Sequence, residues 1–168
     1  FMHALQDQYY NLEQISDDTV ESEASLALRA MAEGEATLIQ LLYLPYFTPE
    51  EQATLFDGSD GPDPFAGAPS IFQDQIFFPY NEGFEFVQAL YDDGGFELID
   101  ETWQEPPTSS EHIMHPERFR AGDEPVIVAM VPLTDTLGVG WRLIDEDVVG
   151  EFTMLKYLEQ AVGLGVAA

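Results

Sequence analysis

Residues 17–45 read DDTVESEASLALRAMAEGEATLIQLLYLP, and this run decides the fold class. Asp17 and Asp18 offer N-caps, Glu21 stands three places after Asp18 as in a capping box, and Pro45 closes the run. Between those limits Ala, Leu and Met predominate, residues that lose little side-chain freedom in a helix. The pattern predicts one long helix ending near Leu44. Working outward, residues 1–15 (FMHALQDQYYNLEQI) set Leu5, Tyr9 and Leu12 at helical spacing, so another helix precedes it. On the other side, Thr48-Pro49-Glu50-Glu51 starts a third, with Thr48 as cap and Pro49 in the first turn.

Residues 56–69 (FDGSDGPDPFAGAP) are dominated by Gly, Pro and Asp and read as a loop, with acids that lack the spacing and closing Glu of a calcium-binding hand. Beyond IFQDQIFFPY, Asn81 is placed to cap a helix carrying Phe84, Val87, Leu90 and Tyr91 on one side, and Gly94-Gly95 to end it. A short helical stretch is expected over FELIDETW, then a break at Pro106-Pro107 and a new turn capped within Thr108–Ser110. VIVAMV at 126–131 is apolar and rich in β-branched residues, and GVGWRLI at 138–144 can pair with it as a β-hairpin. The last segment returns to helical spacing through Val148, Phe152, Leu155 and Leu158. The expected fold is mainly α (α+β), a single domain over 1–168 with one small β-hairpin.

Composition narrows the partners. The chain has 168 residues, 45% of them hydrophobic, enough for one ordinary core. Thirty-two acidic residues against five basic ones give a formal charge of −27, which repels nucleic acid and anionic membrane surfaces and favours neutral or cationic partners. The acids are interspersed with large apolar residues, so they describe a solvated surface and not a disordered tail. There is no cysteine, which excludes disulfides and thiolate metal sites and leaves the compartment open. No apolar run approaches the roughly 20 residues of a membrane span.

His3 heads a helix continuing ALQDQYYNL, and Glu33-Gly34-Glu35-Ala36 lies in the next helix. From His3 to a turn near Ser16 is about 20 Å of helix, and the return to Glu33 about 25 Å, so an antiparallel pair brings the two level. Glu35 lies on the more apolar side of its helix and is the alternative to Glu33. A lone helical histidine is more commonly a surface or core residue than a ligand, and an exposed helical Asp7 needs no special role.

Together these stretches resemble zinc metallopeptidases of the zincin type in the gluzincin branch, HExxH followed by an EGxA-like sequence. His3 matches the second histidine of that motif, with Phe1 and Met2 at its two variable positions. A further likeness runs through Tyr80-Asn-Glu-Gly-Phe-Glu-Phe-Val and through Thr108–Pro116 (TSSEHIMHP), similar to an STEQILHP-like segment of the same peptidases. The resemblance implies a zincin-like helical domain truncated at its N-terminus inside HExxH, and truncated at its C-terminus as well. It implies zinc as cofactor, His3 and Glu33 (or Glu35) as metal ligands, and a peptide or protein substrate. The first histidine and the catalytic glutamate would precede Phe1, so the chain as given is expected to bind zinc weakly and hydrolyse nothing.

Asp7, one turn from His3, could accept a hydrogen bond from the ligand imidazole. His115 could supply an imidazole to an oxyanion, and Tyr80 a phenolic hydrogen bond to a tetrahedral intermediate, although the bland readings are a capped turn and a buried aromatic. His112 and His115, three apart, could also form a metal site of their own. The rival class is a non-catalytic, zincin-like acidic module binding peptides or partner proteins; a third is a structural domain in which His3 and Glu33 never meet. Without an upstream sheet, apolar surface is left uncovered and the chain is expected to self-associate. Sedimentation at micromolar concentration checks this, and a strictly monomeric species counts against it.

Overall fold

The computed structural model describes residues 2–12, 22–56, 65–128, 133–144 and 146–162. Among them the chain is helical: α1 (Met2–Tyr10), α2 (Ser22–Tyr43), a 3-10 turn (Leu44–Tyr46), α3 (Pro49–Phe56), α4 (Ser70–Thr102), α5 (Ser110–Met114), α6 (Pro116–Arg120), α7 (Thr134–Leu137) and α8 (Glu151–Val162). No helix among the described residues is long and apolar enough to cross a membrane.

The central helix is the one the opening run predicts. Ala27, Leu28, Ala30, Met31, Ala32 and Leu38 of α2 are all buried, and the helix packs most extensively against α4. Small residues allow that packing. A Cβ on Gly34 would lie 2.1 Å from the Gly83 carbonyl oxygen, and one on Gly83 would lie 2.2 Å from that of Ala30. The two backbones therefore touch with no side chain between them, and Phe78, Phe86, Val87 and Leu90 fill the core on either side of the contact.

Helix α4 is longer than the sequence pattern suggests. It begins at Ser70, not at Asn81, and runs through Pro79, which is buried. Proline lacks the N–H that the Gln75 carbonyl would take, but burial of Phe78 and Pro79 against the core outweighs one lost helical bond. The expected stop at Gly94-Gly95 is a break and not an end. Gly95 adopts φ +67°, ψ −157°, open only to a residue without a Cβ, and the helix resumes to Thr102.

Capping follows the expected chemistry at two helices. Thr48 Oγ1 accepts from the Glu51 N–H at 3.3 Å while Glu51 Oε2 accepts from the Thr48 N–H at 2.8 Å, a reciprocal box with Pro49 in the first turn. Ser109 caps α5 by accepting from the His112 N–H. The short C-terminal helices are tied down by one buried carboxylate. Glu23 Oε2 accepts from both the backbone N–H and the hydroxyl of Ser110, at 2.9 and 2.8 Å, and the same hydroxyl oxygen accepts from the Phe152 N–H at 3.1 Å. Phe152 then packs on Phe78 with ring centroids 4.3 Å apart.

Three expectations are corrected. The β-hairpin is not observed: there is no strand among the described residues, and Val126–Val128 and 138–144 are irregular and largely solvent-exposed. β-Branched composition gives a segment strand propensity, but a ladder needs a paired neighbour and a face to bury, and the described residues of the two segments show neither. In α1 the inward residues are Gln6 and Tyr10, while Tyr9 points to solvent. In α8 only Phe152 of the expected stripe is buried; Val148, Leu155 and Leu158 stay on the surface. The Asp17–Glu21 capping sequence, most of the 56–69 loop and residues 129–132 of the anticipated hairpin lie outside the described residues.

The α2–α4 contact makes a sharp demand. Gly34→Ala or Gly83→Ala forces two backbones apart and is expected to lower unfolding free energy by about 1–3 kcal/mol. Gly67→Ala, where an added Cβ meets nothing within 4 Å, should stay within about 0.5 kcal/mol of the parent. Urea unfolding of the three variants provides the comparison.

Candidate functional site: a histidine–glutamate pair beside an interhelical groove

The site is assembled where α1 lies on α2. His3 Nε2 stands 3.1 Å from Glu33 Oε2, and His3 Nδ1 stands 2.8 Å from Gln6 Oε1. Gln6 is fully buried, and its Nε2 donates to the Ala32 carbonyl at 3.0 Å and to Glu35 Oε2 at 2.8 Å. Those two acceptors orient the amide, because only its NH2 end can satisfy both. The Gln6 oxygen therefore faces His3 and accepts a hydrogen bond from Nδ1–H. A neutral His3 is then the tautomer whose Nε2 carries a lone pair, directed at a carboxylate oxygen. The 3.1 Å contact is a hydrogen bond to Glu33 when Nε2 carries a proton.

Glu35 has a different fate from Glu33. Its Oε2 accepts from Trp103 Nε1 at 2.9 Å as well as from Gln6, and the side chain is buried. Burial pushes its carboxyl above the ordinary glutamate range, only partly offset by the two donated hydrogen bonds. Trp103 is held in turn by Tyr10, whose ring stacks on it at 4.5 Å with an interplanar angle of 4°. Tyr10 donates to Asp100 at 2.7 Å, and burial together with that carboxylate raises its phenol.

Each sequence-predicted residue can now be placed. His3 and Glu33 meet, although α1 ends at Tyr10 and the turn expected near Ser16 lies outside the described residues, and Glu33 is the partner of His3 while Glu35 belongs to the buried network. Tyr80 joins them: burial and the hydrogen-bonded Glu33 carboxylate raise its phenol, with Arg29 opposing the shift. Asp7 does not serve His3. Its carboxylate accepts from the Leu12 N–H at 3.1 Å and finishes the C-terminal end of α1, and Gln6 takes the position toward His3 expected for it.

The structure does not bring His115 to the pair. Its Nε2 lies 3.1 Å from Glu151 at the start of α8, and the residue itself stands at the N-terminal end of α6, just before Pro116. His112 is structural: Nδ1 accepts from the Thr108 N–H at 3.3 Å and Nε2 donates to the Asp123 carbonyl at 3.0 Å, so neither nitrogen is left for a metal. Gln6 and Trp103 went unnoticed in the sequence. Gln6 could have been found from its place one turn after His3, whereas Trp103 is 68 residues from its partner and leaves no local signal.

Beside the pair runs an open groove of about 670 Å³ between α2 and the first half of α4, lined by Leu26, Arg29, Glu33, Phe72, Ile76 and Tyr80 among others. Its size is that of a small-ligand or peptide cleft. No cluster of three or more metal-ligating side chains occurs among the described residues. The fold and site thus define a helical protein with a histidine–glutamate pair at the edge of an interhelical groove. No family model, curated protein or solved structure matches the chain.

Glu35 generates a pH-dependent contribution with a definite sign. A carboxyl whose folded value exceeds its unfolded one binds more protons when folded, so stability declines as pH rises from the ordinary value near 4.5 through the raised one. Glu35→Gln removes that titration. Urea midpoints from pH 4.5 to neutrality should show the parent losing ground to the variant as pH increases; parallel curves would show that Glu35 does not titrate abnormally.

Proposed function

We propose that His3 and Glu33 are two ligands of a zinc site in a metallopeptidase-type protein, and that Tyr80 stands beside that site as a hydrogen-bond donor to a substrate. The observation that carries this reading is the 3.1 Å approach of His3 Nε2 to Glu33 Oε2 with Nδ1 already committed to Gln6. Two atoms bound to one zinc at near-tetrahedral angles lie roughly 3.1–3.5 Å apart, so the pair is spaced as two ligands are. The hydrogen bond from Nδ1 is the support that ligating histidines ordinarily receive.

Zinc held there would act as a Lewis acid toward a peptide carbonyl. The chain's own residues do the rest. Gln6, anchored on Ala32 and Glu35, fixes the imidazole; Tyr80 reaches Glu33 from α4; and the groove receives the peptide. The zincin reading requires a further histidine and a general-base glutamate, which in an HExxH motif would directly precede Phe1. If His-Glu stands there in the source gene, the extended protein should hydrolyse peptides in a zinc-dependent way.

A second reading is favoured by one observation, the groove itself beside a site where, among the described residues, two metal-ligating side chains are in contact. In it the chain is a non-catalytic acidic module that binds peptides. Hydrolysis of a bound peptide by the extended protein separates the two.

Metal binding tests the first reading directly. Titration of metal-free protein with zinc against a chromophoric chelator should give one saturable site. His3→Ala and Glu33→Gln should each weaken it by about tenfold or more, and Glu35→Gln by much less. Equal zinc affinity in the parent and in His3→Ala would sink the proposal.

A further inference from the structure

The basic residues of this chain are few and mostly occupied. Arg118 pairs with Glu111 and Asp123, Arg120 with Asp93, and Lys156 with Glu159 and Asp74. Arg142 sits in the exposed segment at 138–144. Arg29 makes no ion pair among the described residues, although the chain carries 32 acidic side chains and Glu33 is one turn along the same helix. It is solvent-exposed on the wall of the groove, among Leu26, Phe72 and Ile76, of which Phe72 and Ile76 are themselves substantially exposed. The same lining includes Glu23, Glu33, Gln75 and Tyr80, so Arg29 is the one cation among the described residues of a mixed polar and apolar groove, and its guanidinium is a fork for a carboxylate.

We propose that the groove binds the C-terminal end of a neutral or cationic peptide, with the terminal carboxylate on Arg29 and an apolar last side chain against Phe72 and Ile76. The proposal deepens the peptidase reading and rests on it only for what happens at the His3–Glu33 pair. The charge of the molecule selects the source of the carboxylate. A surface at −27 repels acidic peptides as a class, while a peptide whose single negative charge is its terminus meets one unpaired cation in the groove. Arg29 lies one helical turn, about 6 Å along the axis, from Glu33. An extended chain covers that in about two residues, so the peptide bond presented to the pair lies about two residues from the end.

The test compares dansyl-Ala-Lys-Gly-Ala-Leu-Phe as free acid and as C-terminal amide by fluorescence anisotropy, with a chelator present so that no metal takes part. The free acid is expected to bind the parent at least about tenfold more tightly than the amide. Arg29→Ala should bring the two peptides level, Arg29→Lys should keep part of the preference, and Phe72→Ala should weaken both peptides alike. Circular dichroism confirms that each variant is folded. Equal binding of acid and amide by the parent, a preference that survives Arg29→Ala, or binding of neither peptide overturns the proposal. Zinc titration of the same samples reports on His3 and Glu33 separately. A terminal-carboxylate preference without zinc binding leaves the groove standing and removes the metal site, and the reverse result does the opposite.

Discussion

The contact of α2 with α4 through Gly34 and Gly83 is the constraint on which the rest of the structure depends. Backbone against backbone leaves no freedom in how the two helices lie, because any side chain at either glycine would occupy the carbonyl opposite. The flanking residues inherit that precision. Glu33 and Glu35 stand on either side of Gly34, so one carboxylate is turned to the groove and the other into the core. Tyr80, three residues before Gly83, is carried to Glu33 by the same approach. The glycine in Glu33-Gly34-Glu35-Ala36 therefore works as a spacer between two carboxylates with different fates.

A second layer of order is polar and buried. Gln6 is completely enclosed and yet fully used, donating to Ala32 and Glu35 and accepting from His3. Glu35 in turn receives Trp103, which stacks on Tyr10 of the same helix that carries Gln6. The chain of contacts closes on itself through α1, α2 and the end of α4. No buried side-chain polar atom among the described residues lacks a partner, which is the condition under which an enclosed polar network specifies one arrangement. His3 stands at the rim of this network, its ring angle set by groups that never reach the surface.

Much of this was legible in the sequence, for local reasons. The C-terminal end of α2, the Thr48 cap and the cap near Ser109 follow from residue chemistry within one turn, and the pairing of His3 with Glu33 follows from an antiparallel return, although α1 ends at Tyr10 and not near residue 15. What was not legible depends on distant partners. Pro79 reads as a helix stop until Phe78 and Pro79 are seen in the core. VIVAMV reads as a strand because propensity is local, while pairing is not. Gln6 outranks Tyr9 as the inward residue of α1 only because Ala32 and Glu35 wait for its amide, and hydrophobic periodicity has no means of registering that. His115 was grouped with the pair through a resemblance of segments, whereas its ring is claimed by Glu151.

The node at Glu23 has a consequence for how the molecule opens. One carboxylate oxygen holds the amide and hydroxyl of Ser110, and that hydroxyl holds the Phe152 amide, so one serine joins α2 to both α5 and α8, beside the Ser22 bonds to Asp147 and Val148 and the packing of Phe152 on Phe78. Neither short helix has a turn count that would sustain it alone in water. Loss of the Ser110 bonds would therefore loosen both at once, leaving Ile113 and Phe152 to keep them packed on the α2–α4 core. Glu23 and Thr153, on either side of that junction, both line the groove, so a buried serine and a surface cleft share the same supporting side chains.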